Sequence, residues 1–347
     1  MARLTRAEAQ ERNRGRVLAA ARAEFAERGF RETKIDAIAE RAELTRGAVY
    51  SNFPGKRALY FAVLAQDAEN AELPGDFEVG LTPREALAAF ARAWVTRLPL
   101  VNDREAARLG LDLMPEVLAS EQTSRPYAQL SRFTASLLGL ALENLSPLGG
   151  RLVRVAESAL TMLHGASQLA VAAPGFVEPF NVITACESFA DLTLDDSWPP
   201  RPPIVAQVRG VDEPWNPPAA VDLLTGEPIR AVKGVLAVLG LHRLSAAEEM
   251  IRAASPSDDV TIAIVTGEPA ELSALGRLVL ADFRWHLRQA FPRSAWPRVQ
   301  SVADDDGLLA AAAGVPATVD GTEVGIRVRD GRIVRRAEGF GASYAVC

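Results

Sequence analysis

The spacing of apolar positions changes character along the chain. From Arg12 to Arg28, Val17, Leu18, Ala21 and Phe25 recur every three or four residues, while Arg14, Arg22 and Glu24 fall elsewhere on the wheel. That period predicts an amphipathic helix, with Gly29 as its stop signal. Thr33 reads as the next N-cap, Asp36 completing a box-like pair and Ile35, Ile38 and Ala39 facing inward. A break at Ala42-Glu43-Leu44 leads to a second cap, Thr45, and one or two turns to Tyr50. Pro54-Gly55 then interrupts the chain before a longer helix from Lys56 through Leu59, Tyr60, Val63 and Leu64. Helix, short helix, break, short helix is a helix-turn-helix plan, whose second short helix enters the major groove. Other small helical domains share this spacing.

Residues 81–195 keep the helical period: Pro83–Leu98, Asp103–Ala119, Thr123–Leu145, Arg151–Ala172 and Val177–Leu194, broken at Pro99, Ser120, Pro147-Leu148-Gly149-Gly150 and Ala173-Pro174-Gly175. The helix from Leu152 is apolar nearly all round (Val155, Ala159, Leu160, Leu163), and the last carries Phe180, Ile183, Cys186 and Phe189. Helices this apolar must be buried on more than one side. After the proline-rich SWPPRPP the period shortens. IVAQV, GVLAVLGL and TIAIV read as short strands, Ala270–Gln289 as a helix, and EVGIRV-RDG-RIVRR as a hairpin turning at Asp330-Gly331. The expected fold class is therefore an all-α N-terminal two-thirds followed by an α/β domain. The expected divisions are 1–65 for the helix-turn-helix, 66–196 for a helical domain, 197–203 for a linker and 204–347 for the α/β domain.

Charge sharpens the first of these. Residues 1–60 hold 13 Lys and Arg against 8 Asp and Glu, a balance of +5, leaving 25 against 36, or −11, for the remainder of a chain whose formal charge is −6. The basic footprint expected for phosphate contact is thus confined to the N-terminal segment. Two cysteines, Cys186 and Cys347, supply neither a disulfide framework nor a zinc cluster. The start, MARLTRAEAQERNRGR, lacks the apolar segment of a signal peptide, and no apolar run reaches the length of a membrane span. The expectation is a cytoplasmic protein without metal or cofactor. Arg3, Arg6 and Arg12 read either as a minor-groove arm or as a solvated tail.

The segment TKIDAIAERAELTRGAVYSNFPGKRALYFAVL, Thr33 to Leu64, resembles the DNA-binding domain of TetR-family repressors, the likeness covering about residues 12–65. It implies Thr45, Arg46, Ala48, Tyr50, Ser51 and Asn52 as recognition-helix positions on double-stranded operator DNA, Thr33 and Lys56 as phosphate contacts, and Phe53 as an inward-facing residue. Helix N-termini at Thr33 and Lys56 suit an anion. Arg46 could reach guanine in bidentate fashion or a phosphate, and Ala48 could meet a thymine methyl or only form helix. The resemblance further implies a homodimer through the helices at 151–172 and 177–194, and an inducer pocket formed by the helices before them. Trp94, Met114, Tyr127, Phe133, Met162, His164 and Gln168 are the candidate pocket residues, with His164 and Gln168 an i, i+4 pair. Each is also a plausible core residue. An apolar lining points to a small hydrophobic or aromatic effector.

The tail VADDDGLLAAAAGV…VGIRVRDGRIVRRAEG resembles the closing half of thioredoxin-like proteins, the peroxiredoxins included, over some 110 residues. The functional residues do not carry over. His242-Arg243-Leu244-Ser245 stands where the resemblance places a reactive cysteine, and Thr322-Glu323-Val324 where it places a proline. Thiolate chemistry needs a stabilised sulfur at a helix N-terminus. The expectation is a ligand-responsive dimeric repressor with no catalytic residue, its α/β domain an interaction or sensing module. The alternative is a regulator fused to a redox or group-transfer enzyme.

Overall fold

A computed structural model describes residues 5–75, 78–98, 109–147, 149–197, 205–231 and 233–347. Helix α1 (Arg6–Glu32) starts earlier than its apolar period suggests, because Thr5 caps it. The Glu8 N–H donates to Thr5 Oγ1 at 3.2 Å and the Thr5 N–H donates to Glu8 Oε2 at 2.7 Å. Arg6 and Arg12 therefore belong to a helix, not to a free arm, and Arg3 lies outside the described residues. Gly29 breaks α1 as expected, at φ 78°, a conformation that costs a residue with a Cβ.

Thr33 has a different job from the predicted cap. Its hydroxyl donates to the carbonyls of Glu24 (3.1 Å) and Gly29 (2.7 Å), sealing that break, and Lys34 occupies the N-cap of α2 (Ile35–Arg41) without a side-chain cap. Thr45 does cap α3 (Arg46–Tyr50), accepting from the Ala48 N–H at 3.2 Å. Helix α4 (Lys56–Glu69) follows.

The next region is helical: α5 (Pro83–Val95), α6 (Leu113–Leu118), α7 (Glu121–Leu145), α8 (Val153–Ala172) and α9 (Pro179–Ser188), which ends in a 3-10 turn, Phe189–Asp191. The last helix thus stops short of Leu194. The expected helix from Asp103 is described only from residue 109, and Pro99 and Leu148 at the predicted breaks lie outside the described residues. Helices α7 and α8 approach so closely that a Cβ on Gly139 would meet Val153 Cα at 2.7 Å.

The C-terminal part is a six-stranded mixed sheet, β1 (Val208–Pro214), β2 (Gly234–Gly240), β3 (Asp259–Val265), β4 (Gln300–Ala303), β5 (Glu323–Arg329) and β6 (Arg332–Glu338), in the order β1-β6-β5-β2-β3-β4. Strands β2, β3 and β4 run parallel; β5 is antiparallel to β2, β6 to β5 and β1 to β6. Every residue of β2 is buried, which is why it reads as an unbroken apolar run. Two details depart from expectation. The first strand begins at Val208, residues 205–207 of the expected run being irregular and Ile204 lying outside the described residues, and β4 carried no signal. Both are edge strands, and Val-Arg-Gly-Val-Asp-Glu-Pro has no apolar run to betray it. The predicted linker lies outside the described residues except for Ser197.

Helices α10 (Ala246–Ala253), α11 (Pro269–Ala290), α12 (Leu308–Ala312) and α13 (Ala342–Ala345) complete this part. One face of the sheet has its own core, around Trp215, Val238 and Ile326. The other is continuous with the core of the helical region, because α11 lies against α4, α5 and α7. A half-buried ionic cluster joins the same two parts: Glu248 of α10 accepts from Arg151 (2.8 and 2.9 Å), from Arg252 (2.7 Å) and from Ser136 (3.1 Å).

Candidate nucleic-acid interface and the interior behind it

Helix α3 has one buried residue, Val49, which pins it to α1 and α2. Its other side is open: Thr45, Arg46, Tyr50 and Ser51 are exposed, and Ala48 and Asn52 are half-buried. Arg46 lies over the Tyr50 ring at 5.5 Å and 3.4 Å from Asp36, both partners solvent-facing. The Asp36 and Tyr50 partners occupy part of its hydrogen-bonding edge, but both are solvent-facing, so a phosphate or a guanine can displace them. Ser51 Oγ and Asn52 Nδ2 donate to the Ala48 carbonyl at 2.9 and 2.8 Å, contacts that an incoming acceptor can replace. Phe53 is buried as expected, with Arg14 over its ring at 4.6 Å.

The two expected phosphate contacts are turned inward. Thr33 is 1 % exposed and its hydroxyl is engaged as above. The Lys56 ammonium donates to the carbonyls of Phe30 (2.7 Å), Thr33 (3.0 Å) and Arg31 (3.2 Å), so its three donors are all used. It closes the orphan carbonyls at the end of α1, and burial lowers its pKa from the ordinary lysine value. Lys34, at the start of α2, and Arg31, in the last turn of α1, are exposed cations at this junction.

Behind the head, the seven candidate pocket residues divide. Trp94, Tyr127 and His164 come together: the Trp94 ring stands edge-on to His164 at 4.9 Å, and Tyr127 is 6.5 Å from His164. Trp94 Nε1 donates to Ser167 Oγ at 2.8 Å. Phe133 is 1 % exposed in the core, and Met114 is half-buried against that core. Met162 instead lines an outward-facing groove of about 640 Å³ with Arg154, Thr161, Phe189 and Leu194. Gln168 is exposed, so the His164–Gln168 pair does not converge on one interior. The inner stripe of α8 runs through Ala159, Leu163, Ala166 and Ala170, with His164 at its margin and Gln168 beyond it.

A residue of the α/β part completes the aromatic group. His286 of α11 lies 4.7 Å from Trp94 and 5.3 Å from Phe90. Its Nδ1–H donates to the Asp282 carbonyl at 2.8 Å, leaving Nε2 buried without a protein partner. Burial pushes both His286 and His164 below the usual imidazole range, so both are neutral near pH 7.

In the α/β part, Arg243 of the His242–Ser245 run donates to Glu323 at 3.0 Å and lies 3.9 Å over the Phe340 ring. Cys347 Sγ donates to the Ser343 and Met250 carbonyls at 3.5 and 3.7 Å, and burial pushes its thiol up to about 12. Burial does the same to Cys186. Among the described residues no group of three or more His, Cys, Asp or Glu could hold a metal ion, and no helix is long and apolar enough to cross a membrane.

Residues 17–63 match the TetR_N family, described as bacterial regulatory proteins of the tetR family. The head is a TetR-type DNA-binding domain. Among curated proteins, this chain is 42% identical over 81 residues to the HTH-type transcriptional regulator SrpR of Pseudomonas putida, covering 23% of this chain and 38% of SrpR. It is 42% identical over 81 residues to TtgW, an uncharacterized HTH-type transcriptional regulator of Pseudomonas putida, covering 23% of this chain and 60% of TtgW. The HTH-type transcriptional activator FasR of Mycolicibacterium smegmatis matches at 36% over 61 residues, 18% of this chain and 28% of FasR. The chain thus spans less than two thirds of each of these relatives. Among solved structures, a TetR transcriptional regulator from Rhodococcus sp. RHA1 is 17% identical, with 52% of this chain and 94% of that one covered and a TM-score of 0.36. RolR in complex with resorcinol is 19% identical, with coverage of 55% and 99% and a TM-score of 0.33.

The TetR-type head accounts for residues up to α4, and sequence patterning located it. Three residues, one in the head and two in the interior behind it, escaped that reading. Lys34 follows a threonine that reads as a cap and so draws attention away from it. Ser167 has no distinguishing neighbour in the chain. His286 is isolated in sequence, and only the docking of α11 brings it to Trp94.

Proposed function

We propose that this protein is a ligand-responsive, dimeric transcriptional repressor that binds operator DNA through α3 and releases it when a small hydrophobic or aromatic effector binds. The observation that carries the reading is the open side of α3, where Thr45, Arg46, Tyr50 and Ser51 stand exposed on a TetR-type head while Val49 and Phe53 anchor it. Such a face reads base edges with its side chains and is positioned by phosphate contacts around it.

Dimerisation is supported by the outer side of α8 and α9. Leu169, Phe176, Phe180 and Leu192, on these helices and the turns that flank them, are 44, 70, 77 and 45 % exposed, large apolar side chains left uncovered in this chain alone. Two-fold pairing there would present two heads to paired half-sites. The effector reading is supported by the aromatic interior of Trp94, Tyr127 and His164, where an apolar ring could stack and the neutral imidazoles could orient it. Effector and DNA then compete through the shape of one molecule, each favouring a different arrangement of the heads.

The α/β part reads as thioredoxin-like and catalytically silent. Supporting this are parallel β2 and β3 with the antiparallel hairpin β5–β6 beside β2, and the one thiol of this part, Cys347, held protonated by burial.

The test is selection of duplexes from a random library by the purified protein, followed by fluorescence anisotropy. Wild type should recover a sequence with two-fold symmetry, and Tyr50→Ala and Arg46→Ala should each lose at least about tenfold in affinity for it. Recovery of no sequence, or equal binding by all three proteins, refutes the reading. Phe180→Asp should shift the wild-type dimer to monomer in light scattering.

A further inference from the structure

We infer that the α/β part positions the DNA-reading head, with α11 acting as a splint along α4; this rests on the DNA-binding reading above. A short connection, residues 51–55, joins α3 to α4. It is closed by the Asn52 and Phe53 N–H groups, which donate to the Val49 carbonyl at 3.1 and 3.0 Å, and by buried Phe53. Helices α3 and α4 therefore move together, and whatever holds α4 sets the direction of α3.

Helix α11 holds α4 along its whole length. In the first turn of α4, Arg57 is paired with Glu271. In the last turn, Arg277 lies 3.6 Å from Glu69 and Arg284 Nη2 donates to the Glu69 carbonyl at 3.2 Å. Just beyond, Trp285 Nε1 donates to the Glu72 carbonyl at 3.0 Å. The contacts advance from Arg57 to Glu72 on one side and from Glu271 to Trp285 on the other, so the helices run in the same direction for roughly 20 Å. Burial of an apolar stripe alone does not require polar ties at both ends. These ties fix the sliding register of one helix on the other.

Helix α11 is also anchored away from the head. It crosses from β3 to β4 in its own domain, and Asp282 meets Arg97 at 2.5 Å in the helical region. The same helix thus contacts the sheet, the aromatic interior through His286, and the element that aims α3. Glu271 and Trp285 are positioning residues: they touch no DNA and act through α4.

The experiment uses the full chain and a duplex selected by the wild-type protein. Glu271→Gln and Trp285→Phe remove a tie at either end of α4, and Glu268→Gln makes the same charge change at an exposed residue nearby. Spin labels at Glu40→Cys on the head and Arg298→Cys on the α/β part report their separation. Expected results are an affinity about fivefold weaker for Glu271→Gln and Trp285→Phe, the low end of measured couplings between sites. Their salt dependence should match wild type, because no phosphate contact is lost. The label distances should broaden in these variants, and Glu268→Gln should match wild type in every measurement. If Glu271→Gln and Trp285→Phe match Glu268→Gln in affinity and label distance, the splint is refuted. If wild type selects no duplex, the DNA-binding reading fails, and the label distances alone decide whether α11 holds the head.

Discussion

Glu248 offers the sharpest test of how the helical and α/β parts are joined. Its side chain is almost fully buried and takes hydrogen bonds from Arg151, Arg252 and Ser136. Stranding a buried charge by deleting its partner costs about 3–5 kcal/mol. Here neither guanidinium is stranded, since Arg151 keeps Asp196 and Arg252 keeps Glu143 at 2.8 and 3.0 Å. Glu248→Ala should therefore cost less, about 2–3 kcal/mol, and Glu248→Gln, which keeps the shape and one acceptor, about 1–2 kcal/mol. Urea unfolding followed by circular dichroism measures both. Burial alone would raise the Glu248 carboxyl, but the hydrogen bonds from Arg151 and Arg252 outweigh it and hold the group below the usual carboxylate range. A depressed folded value stabilises the protein above the unfolded value of about 4.3 and loses that contribution as pH falls through the folded one. The gap between wild type and Glu248→Gln should then be constant from about pH 5 to 8 and shrink below about pH 4. A loss under about 0.5 kcal/mol for Glu248→Ala at pH 7 would refute the cluster's role.

Lys56→Ala should destabilise the head by about 2 kcal/mol, because three carbonyls lose a charged donor; unchanged unfolding with a reduced salt slope of DNA binding would instead restore it as a phosphate contact. Gly29→Ala should cost about 3 kcal/mol through backbone strain alone, because φ 78° with ψ 169° is a region that essentially only glycine occupies and its new Cβ would meet nothing closer than Asp112 Oδ2 at 3.4 Å; thermal melting decides it. Cys347, with its thiol pushed up to about 12, should resist iodoacetamide at pH 8 over the hours in which a free thiol is consumed, and rapid labelling in the native state would reopen the redox alternative.

Much of the head was legible because its signals are local. Val17 to Phe25 repeat at helical spacing, Gly29 and Thr45 punctuate, and Phe53 follows three polar or aromatic positions that belong outside. Thr33 was misread because a threonine before a helix has two uses, and the backbone at Gly29 decides between them by presenting carbonyls to its hydroxyl. Strand β2 was legible as a buried apolar run, whereas edge strands β1 and β4 left no pattern. The interior was the least legible. Trp94 and His286 meet only because α11 crosses the domain boundary, and no periodicity within either domain encodes that crossing. His164 and Gln168 obey the i, i+4 rule yet part company, because the core on α8 is narrower than the arc the two residues span.

The covering of α4 by α11 also sets an order of manufacture. Pro269 follows Glu69 by 200 residues, so the ribosome completes α4 long before its splint exists. At ordinary elongation rates that interval is roughly 10–40 s. Throughout it, the side of α4 that will carry α11 is uncovered, joined by those of α5 and α7 as they are made. A nascent chain in that state needs shelter, and a message truncated before α11 would yield an adhesive fragment rather than a smaller regulator.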